Sequence, residues 1–85
     1  MKVRLYTLST CPWCRKTKKW FKDKGVPFEF VDYDLASEQE QEKIGQEMMK
    51  HTGHISFPFV DIDGNVVIGY NPEKYEQLLK QKKVA

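Results

Sequence analysis

The feature that most limits how this chain can fold is a pair of cysteines at a junction between two types of secondary structure. Cys11 and Cys14 are the only two cysteines in 85 residues. They follow an apolar run typical of a strand, and a polar, helix-forming segment begins directly after them. The segment Ser9-Thr10-Cys11-Pro12-Trp13-Cys14 therefore places a dithiol where a strand passes into a helix.

The start of a helix favours a thiolate over a thiol. Its first turn presents N–H groups that have no partner within the helix, together with the positive end of the helix dipole. We expect Cys11 at the N-cap, and Pro12 suits the first helical position because it has no N–H to satisfy. Cys14 lies one turn on, close enough to Cys11 to close a small disulfide ring and less accessible from outside. These positions predict an attacking thiol at Cys11 and a resolving thiol at Cys14.

Two packed structural cysteines, or a disulfide that staples a secreted fold, are the alternative interpretation. A ring closed over two intervening residues removes little entropy from the unfolded chain, and Cys-x-x-Cys before a helix is typical of a redox site. The first residues, Met1-Lys2-Val3-Arg4, lack the apolar core of a signal peptide, and no run approaches a membrane span. We therefore expect a cytoplasmic protein, in a compartment where a paired dithiol is catalytic or metal-binding.

Length and composition predict one small globular domain over residues 1–85. Such a chain suffices for one hydrophobic core and is too short for two. Its 40% apolar and 31% charged residues, with a net charge of +2, do not suggest disorder. Nothing in this composition requires a nucleic acid or a membrane as a partner, and we expect a monomer.

Periodicity and turn residues predict the element order β-α-β-α-β-β-α. Strand patterns occupy residues 2–8, 28–33, 57–62 and 65–69, and helical patterns occupy residues 12–24, 38–50 and the segment from 72 onward. Ser37 and Glu40 form a capping box before the second helix. Asp63-Gly64 suits a two-residue hairpin turn, and Asn71-Pro72 suits the start of the last helix. The first two strands should pair in parallel through a right-handed crossover.

Each predicted helix has an apolar face that should pack on the sheet. In the first helix this face comprises Trp13, Thr17, Trp20 and Phe21. The second helix has a thin face of Ile44, Met48 and Met49, with Ala36 near its start. The last helix carries Tyr75, Leu78 and Leu79. The glutamates of the second helix should form an ordinary solvated surface.

In this order, the motifs resemble the glutaredoxin family. They are Cys11-Pro12-Trp13-Cys14, Lys18, Phe57-Pro58 and a Gly69-Tyr70 turn before the last helix, and the resemblance covers nearly the whole chain. It implies the α/β thioredoxin fold, with a four-stranded mixed sheet flanked by three helices. It also implies a dithiol-disulfide oxidoreductase, an electron carrier in cell redox homeostasis, in which the first cysteine attacks and the second resolves.

The same resemblance implies which residues contact the substrate: Pro12, Trp13, Lys18, Phe57, Pro58, Gly69 and Tyr70. In proteins of this fold the proline at the third strand is cis and lies beside the dithiol, so that the backbone of Phe57 can pair with an extended substrate. A strand-opening proline beside a core aromatic is the alternative. Trp13 is either an exposed apolar contact or partly buried under the helix. Arg15, Lys16 and Lys18 either stabilise the thiolate or form a solvated face.

Two departures from the family pattern concern glutathione. Glutathione-using glutaredoxins generally have Gly-Gly and then an acidic residue where this chain has Gly69-Tyr70, and Thr-Val-Pro where it has Ser56-Phe57-Pro58. A glycine-aromatic turn is more like the NrdH redoxins, which take electrons from a flavoprotein reductase. The resemblance thus implies protein disulfides as substrates, with ribonucleotide reductase as one candidate, and a thioredoxin-reductase-like flavoprotein as reductant. No tightly bound cofactor is expected, and glutathione is the alternative reductant.

A metal-binding module is the alternative of another class. Cys11 and Cys14 together with His51 and His54 could supply four zinc ligands, although His-x-x-His is shorter than the usual spacing. A bridging iron–sulfur cluster on Cys11 is known among glutaredoxin-like proteins, but Pro12 argues against it. We therefore predict no metal site.

Overall fold

A computed structural model, which describes residues 2–83, has four strands and three helices in the predicted order. The strands are Val3–Thr7 (β1), Glu29–Asp32 (β2), Phe59–Ile62 (β3) and Asn65–Ile68 (β4). The helices are Pro12–Asp23 (α1), Glu38–Thr52 (α2) and Pro72–Lys83 (α3), and a short 3-10 turn, Tyr33–Leu35, follows β2. None of the helices in this part of the chain is both long and apolar enough to cross a membrane.

The four strands form one mixed sheet in the order β2-β1-β3-β4. β1 pairs in parallel with β2 and antiparallel with β3, and β3 pairs antiparallel with β4. Near the end of β1, Tyr6 lies opposite Val31 on one side and Phe59 on the other. The predicted central position of the first strand is confirmed, and the chain leaves this strand directly into the cysteine segment.

The predicted caps and the hairpin turn are confirmed. The Ser37 side chain accepts a hydrogen bond from the N–H of Glu40 at the start of α2. The Asn71 side chain accepts a bond from the N–H three residues on, at the start of α3. Asp63 and Gly64 have φ values of 55° and 93°, the left-handed backbone that a two-residue hairpin of this type requires.

Two groups of buried side chains fill the two faces of the sheet. The larger packs against α1 and α3 and comprises Val3, Leu5, Phe21, Val60, Ile62, Val67, Tyr75 and Leu79. The smaller packs against α2 and comprises Tyr6, Ile44, Met48 and Phe59. Side chains of β1 alternate between these faces, as expected for a strand covered on both sides.

Two details differ from the sequence-based expectations. Met49 is 53% exposed, because Ile44 and Met48, one turn apart, define the buried line of α2 and the next residue points away from it. β3 begins at Phe59 rather than at Phe57. Pro58, which has no N–H to donate to a strand ladder, lies just before it.

Candidate functional site

The site begins at the junction of β1 and α1. Cys11 is the N-cap of α1 with an extended backbone (φ −85°, ψ 118°), and Pro12 occupies the first turn, as predicted. The Cys11 N–H donates to the carbonyl of Leu8 at 3.2 Å, which closes the turn between strand and helix. The Cys11 side chain makes no close capping hydrogen bond.

The two thiols, both free, differ in their access to solvent. Cys11 is half-buried, whereas Cys14 is fully buried. The backbone N–H of Leu8 points at the Cys14 sulfur at 3.4 Å. A bulky disulfide can therefore approach the sulfur of Cys11 and not that of Cys14.

The pKa of Cys11 is lowered from its ordinary value. Partial burial is the largest single influence and raises the pKa, but three hydrogen-bond donors near the sulfur together outweigh it. They are the backbone N–H of Cys14, the Cys14 thiol and the backbone N–H of Trp13. These are the groups that the first turn of a helix offers to an anion at the N-cap.

The pKa of Cys14 is raised to about 11, chiefly by burial. The Cys11 sulfur, as a hydrogen-bond acceptor and as a negative charge, acts in the same direction, whereas the Leu8 N–H and the Lys18 ammonium lower the pKa. The pair therefore favours a Cys11 thiolate beside a protonated Cys14 thiol.

A groove of about 280 Å³ lies beside the cysteine turn, and five predicted site residues line it: Trp13, Phe57, Pro58, Gly69 and Tyr70. The Trp13 and Tyr70 rings pack against each other with centroids 5.9 Å apart and planes tilted by 31°. Trp13 is 54% exposed, which decides between the two positions expected for it. The groove thus has aromatic walls that are open to a partner.

Phe57 supplies the backbone edge of this groove. The Phe57-Pro58 peptide bond is cis, as expected. The Pro58 carbonyl accepts the N–H of Gly69 at 2.9 Å, whereas the N–H and C=O of Phe57 make no hydrogen bond to another residue within 2–83. The Phe57 ring packs against Tyr33 with centroids 5.2 Å apart. Its free peptide groups can pair with an extended chain.

Lys18 is not brought into the groove. Its ammonium lies 2.9 Å from Asp32 Oδ1 and 4.1 Å from the centre of the Phe30 ring. The Thr7 hydroxyl donates to the same Asp32 oxygen at 2.6 Å. Burial, the largest influence, raises the pKa of Asp32, but the bonds from Thr7 and Lys18 outweigh it and the net pKa is lowered. A direct role of Lys18 in substrate binding stays a prediction.

The other two cations of the first turns lie at the surface. Lys16 sits over the Trp13 ring, 4.5 Å from its centroid. Arg15 donates to the Ser9 carbonyl at 3.4 Å. Neither is among the groups that shift the pKa of Cys11, so the helix start itself provides the stabilisation of the thiolate.

The histidines lie at the far end of α2 from its cap. The His51 ring packs edge-on against Phe59 at 6.1 Å, and His54 follows the helix. Across the described 82-residue span 2–83, no three His, Cys, Asp or Glu side chains converge as metal ligands. The four ligands considered for zinc therefore do not form one site.

Sequence reasoning missed several polar groups around the site. Asp32 pairs with Lys18, and Asp34 accepts hydrogen bonds from the N–H and the hydroxyl of Ser9 beside the cysteine turn. The hydroxyls of Thr17 and Tyr75 donate to the backbone carbonyls of Trp13 and Gly69, two residues that line the groove. Their one sequence signal is a hydroxyl on an otherwise apolar face.

Comparisons with known proteins agree with this geometry. Residues 3–67 match the family model described as Glutaredoxin. A glutaredoxin-like 8.6 kDa protein in the rubredoxin operon of Clostridium pasteurianum is 32% identical over 79 residues, 93% of this chain and 99% of that protein. Glutaredoxin 3 of Escherichia coli strain K12 is 31% identical over 67 residues, 79% of this chain and 75% of that protein.

Solved structures extend the agreement to the fold. The crystal structure of Methanosarcina acetivorans methanoredoxin has a TM-score of 0.86 at 34% identity, covering 92% of this chain and 83% of that one. A glutaredoxin from Archaeoglobus fulgidus has a TM-score of 0.85 at 35% identity, covering 93% of this chain and 86% of that one.

Proposed function

Because this chain belongs to the glutaredoxin family and has its thioredoxin fold, we propose that it is a thiol-disulfide oxidoreductase that reduces disulfides in proteins. A flavoprotein disulfide reductase returns it to the dithiol. The observation that carries this proposal is the contrast between its two thiols. Cys11 is accessible with a lowered pKa, while Cys14 is buried with a raised one.

The reaction proceeds in two exchanges. The Cys11 thiolate attacks one sulfur of the substrate disulfide, forms a mixed disulfide and releases the other substrate sulfur as a thiolate, which takes a proton from solvent. The Cys14 thiol then loses its proton and attacks the Cys11 sulfur, which frees the second substrate thiol. Two electrons and two protons have passed to the substrate, and Cys11 and Cys14 are joined in a disulfide. The reductase returns the same two electrons and two protons.

The groove supports a polypeptide substrate. An extended segment can form backbone hydrogen bonds with Phe57 while a neighbouring side chain packs in the groove against the Trp13 and Tyr70 rings. Apolar contacts of this kind contribute most of the affinity at protein interfaces. Neither exchange requires a tightly bound cofactor.

The turn between β4 and α3 supports a protein reductant over glutathione. Tyr70 fills one wall of the groove, and the Asn71 side chain already caps α3. Neither residue offers a carboxylate to the glutathione amino group, and Lys18, held by Asp32, is not free to bind a carboxylate of glutathione. The relative described as lying in a rubredoxin operon is compatible with a role in electron transfer between proteins.

A coupled assay tests this proposal. NADPH oxidation is followed with a protein disulfide as substrate, once with a thioredoxin reductase and once with glutathione and glutathione reductase, with Cys11→Ser as the inactive control. Loss of one charge-assisted contact costs about 1.5–3 kcal/mol, so we expect the thioredoxin reductase to support turnover roughly tenfold or more faster. Turnover with glutathione that is at least as fast, and undiminished in Tyr70→Ala, would identify an ordinary glutathione-dependent glutaredoxin.

A further inference from the structure

The buried hydroxyl of Tyr75 is tied to the turn that carries Tyr70. Tyr75 lies on α3, is fully buried, and its hydroxyl donates to the Gly69 carbonyl. Burial raises the pKa of Tyr75, opposed by the Thr17 hydroxyl and the backbone N–H of Asn71. The hydroxyl thus bonds to the residue directly before Tyr70, and its pKa is influenced by the residue directly after Tyr70 and by a side chain of α1.

Two further hydrogen bonds hold other backbone groups of the groove. The Thr17 hydroxyl donates to the Trp13 carbonyl at 2.9 Å. The Gly69 N–H donates to the Pro58 carbonyl at 2.9 Å. Trp13, Gly69 and Pro58 all line the groove. Tyr75 therefore bonds to one groove residue, Gly69, which bonds in turn to a second, Pro58, while Thr17 bonds to a third, Trp13.

Packing leaves the Tyr75 ring little freedom to move. Its centroid lies 5.2 Å from that of Phe21, 5.4 Å from that of Trp20 and 6.4 Å from that of Tyr70. A hydroxyl in such surroundings is costly unless it is bonded. Phenylalanine could fill the same space, so the hydroxyl contributes through its bonds to the turn.

We propose that Tyr75 is a positioning residue: its hydroxyl holds the Gly69–Asn71 turn so that Tyr70 faces Trp13, and it thereby selects polypeptide disulfides with an apolar side chain beside the attacked cysteine. This inference rests on the proposed function. A groove with two aromatic walls accepts an apolar side chain, and it can do so only while Tyr70 stays opposite Trp13. Tyr75 itself touches neither the substrate nor the reacting sulfurs.

Two matched peptide substrates test the inference without any reductase. Each carries one cysteine joined by a disulfide to thionitrobenzoate, with phenylalanine beside the cysteine in one peptide and glycine in the other. Reduced protein is mixed with each peptide, and the absorbance of released thionitrobenzoate gives the second-order rate constant of the first exchange. Leaving group and attacked bond are the same in both, so the ratio of the rate constants measures side-chain selection alone.

We expect the wild type to prefer the phenylalanine peptide and Tyr75→Phe to lose about fivefold of that preference, the size expected for one net hydrogen bond. The rate with the glycine peptide should not change. Tyr6→Phe is the matched control, because it removes a buried tyrosine hydroxyl bonded to Glu47 on the opposite face of the sheet. It should leave the ratio at the wild-type value.

A double-substitution cycle separates positioning from general weakening of the fold. Tyr70→Ala alone should lower the preference, and adding Tyr75→Phe should lower it no further, since the hydroxyl acts through Tyr70. Thr17→Val should also lower the preference for the phenylalanine peptide, because it removes the hydrogen bond from the Thr17 hydroxyl to the Trp13 carbonyl. An unchanged ratio in Tyr75→Phe and Thr17→Val, or equal slowing with both peptides, overturns the inference and leaves the proposed function intact. Failure of the wild type to release thionitrobenzoate from either peptide overturns both.

Discussion

Cys11 and Cys14 lie one helical turn apart, yet their surroundings differ in almost every physical respect. Around Cys11 are solvent, an exposed tryptophan and the unpaired N–H groups of a helix start. Around Cys14 are the packed side of α1, the N–H of Leu8 just after β1 and, further along the helix, the ammonium of Lys18. The two sulfurs therefore have different hydrogen-bond donors near them. The Cys11 sulfur lies near the N–H groups of the first helical turn, whereas the Cys14 sulfur has the N–H of Leu8.

In the proposed reaction, this difference assigns a separate step to each of two chemically identical groups. The lowered pKa of Cys11 increases the fraction of thiolate available for attack before any substrate arrives. Cys14 retains its proton and cannot compete for the substrate. Once Cys11 is in a mixed disulfide, the negative charge that raised the pKa of Cys14 is gone, and Cys14 ionises more readily. In the proposed reaction, the exposure and pKa of the two sulfurs therefore place the attack by Cys11 before the attack by Cys14.

The largest expected effect comes from removing one sulfur at a time. Cys11→Ser should lower the rate of disulfide reduction to that of buffer alone, because the accessible thiolate is lost. Cys14→Ser should still attack but should stop at the mixed disulfide, which mass spectrometry detects as protein plus substrate. Equal loss of the first exchange in the two variants would contradict the division of roles.

A smaller effect is expected from Lys18→Met, which alters the surroundings of Cys14 and leaves the groove in place. Asp32 has a lowered pKa in the folded protein, so its bonds add stability above its ordinary pKa, and this is lost as the pH falls through the lowered value. The variant should lose about 1–2 kcal/mol of unfolding free energy near pH 7. The difference should shrink as the pH falls below the ordinary pKa of an aspartate, as urea unfolding near pH 7 and in acid would show.

Lys19→Met is the matched control for that variant. Lys19 lies on the same helix and pairs with Asp23, but both side chains are mostly exposed, so the pair contributes little. Its loss should hardly move the unfolding midpoint. Lys18→Met should also slow the second exchange a few-fold, because the ammonium lowers the pKa of Cys14. If Lys18→Met and Lys19→Met change the free energy of unfolding equally at both pH values, the contact between Lys18 and Asp32 contributes no more stability than a surface ion pair.

The fold was largely predictable because its signals are local. Ser37 as a cap, Asp63-Gly64 as a turn and Pro72 in a first helical turn each act through neighbouring residues, and strand and helix periodicities fill the intervals. Met49 was wrongly placed on the buried face because α2 has few apolar residues. They do not define which of two neighbouring residues, Met48 or Met49, faces the sheet. The N-cap position and greater exposure of Cys11 were also predictable, because they follow from its place directly before the helix.

The rest of the site depends on contacts between distant segments. Nothing in the sequence around Lys18 indicates that Asp32 of β2 will hold it, or that a tyrosine on α3 will bond to Gly69. Trp13 is exposed although Thr17, one turn later on the same face, is fully buried. Helix α1 begins beyond the end of β1, so its first residues extend past the edge of the sheet. Which of its residues the sheet buries depends on the assembled fold.

Alkylation of the two cysteines as a function of pH tests the central claim most directly. The reduced protein is treated with a limiting amount of iodoacetamide, and peptide mapping gives a rate for each cysteine at each pH. Cys11 should be labelled first, with a midpoint below the ordinary thiol value of about 8.5. Cys14, with a pKa raised to about 11, should stay unlabelled through neutral pH. Preferential labelling of Cys14, or a Cys11 midpoint at or above the ordinary value, would contradict the assignment of the nucleophile.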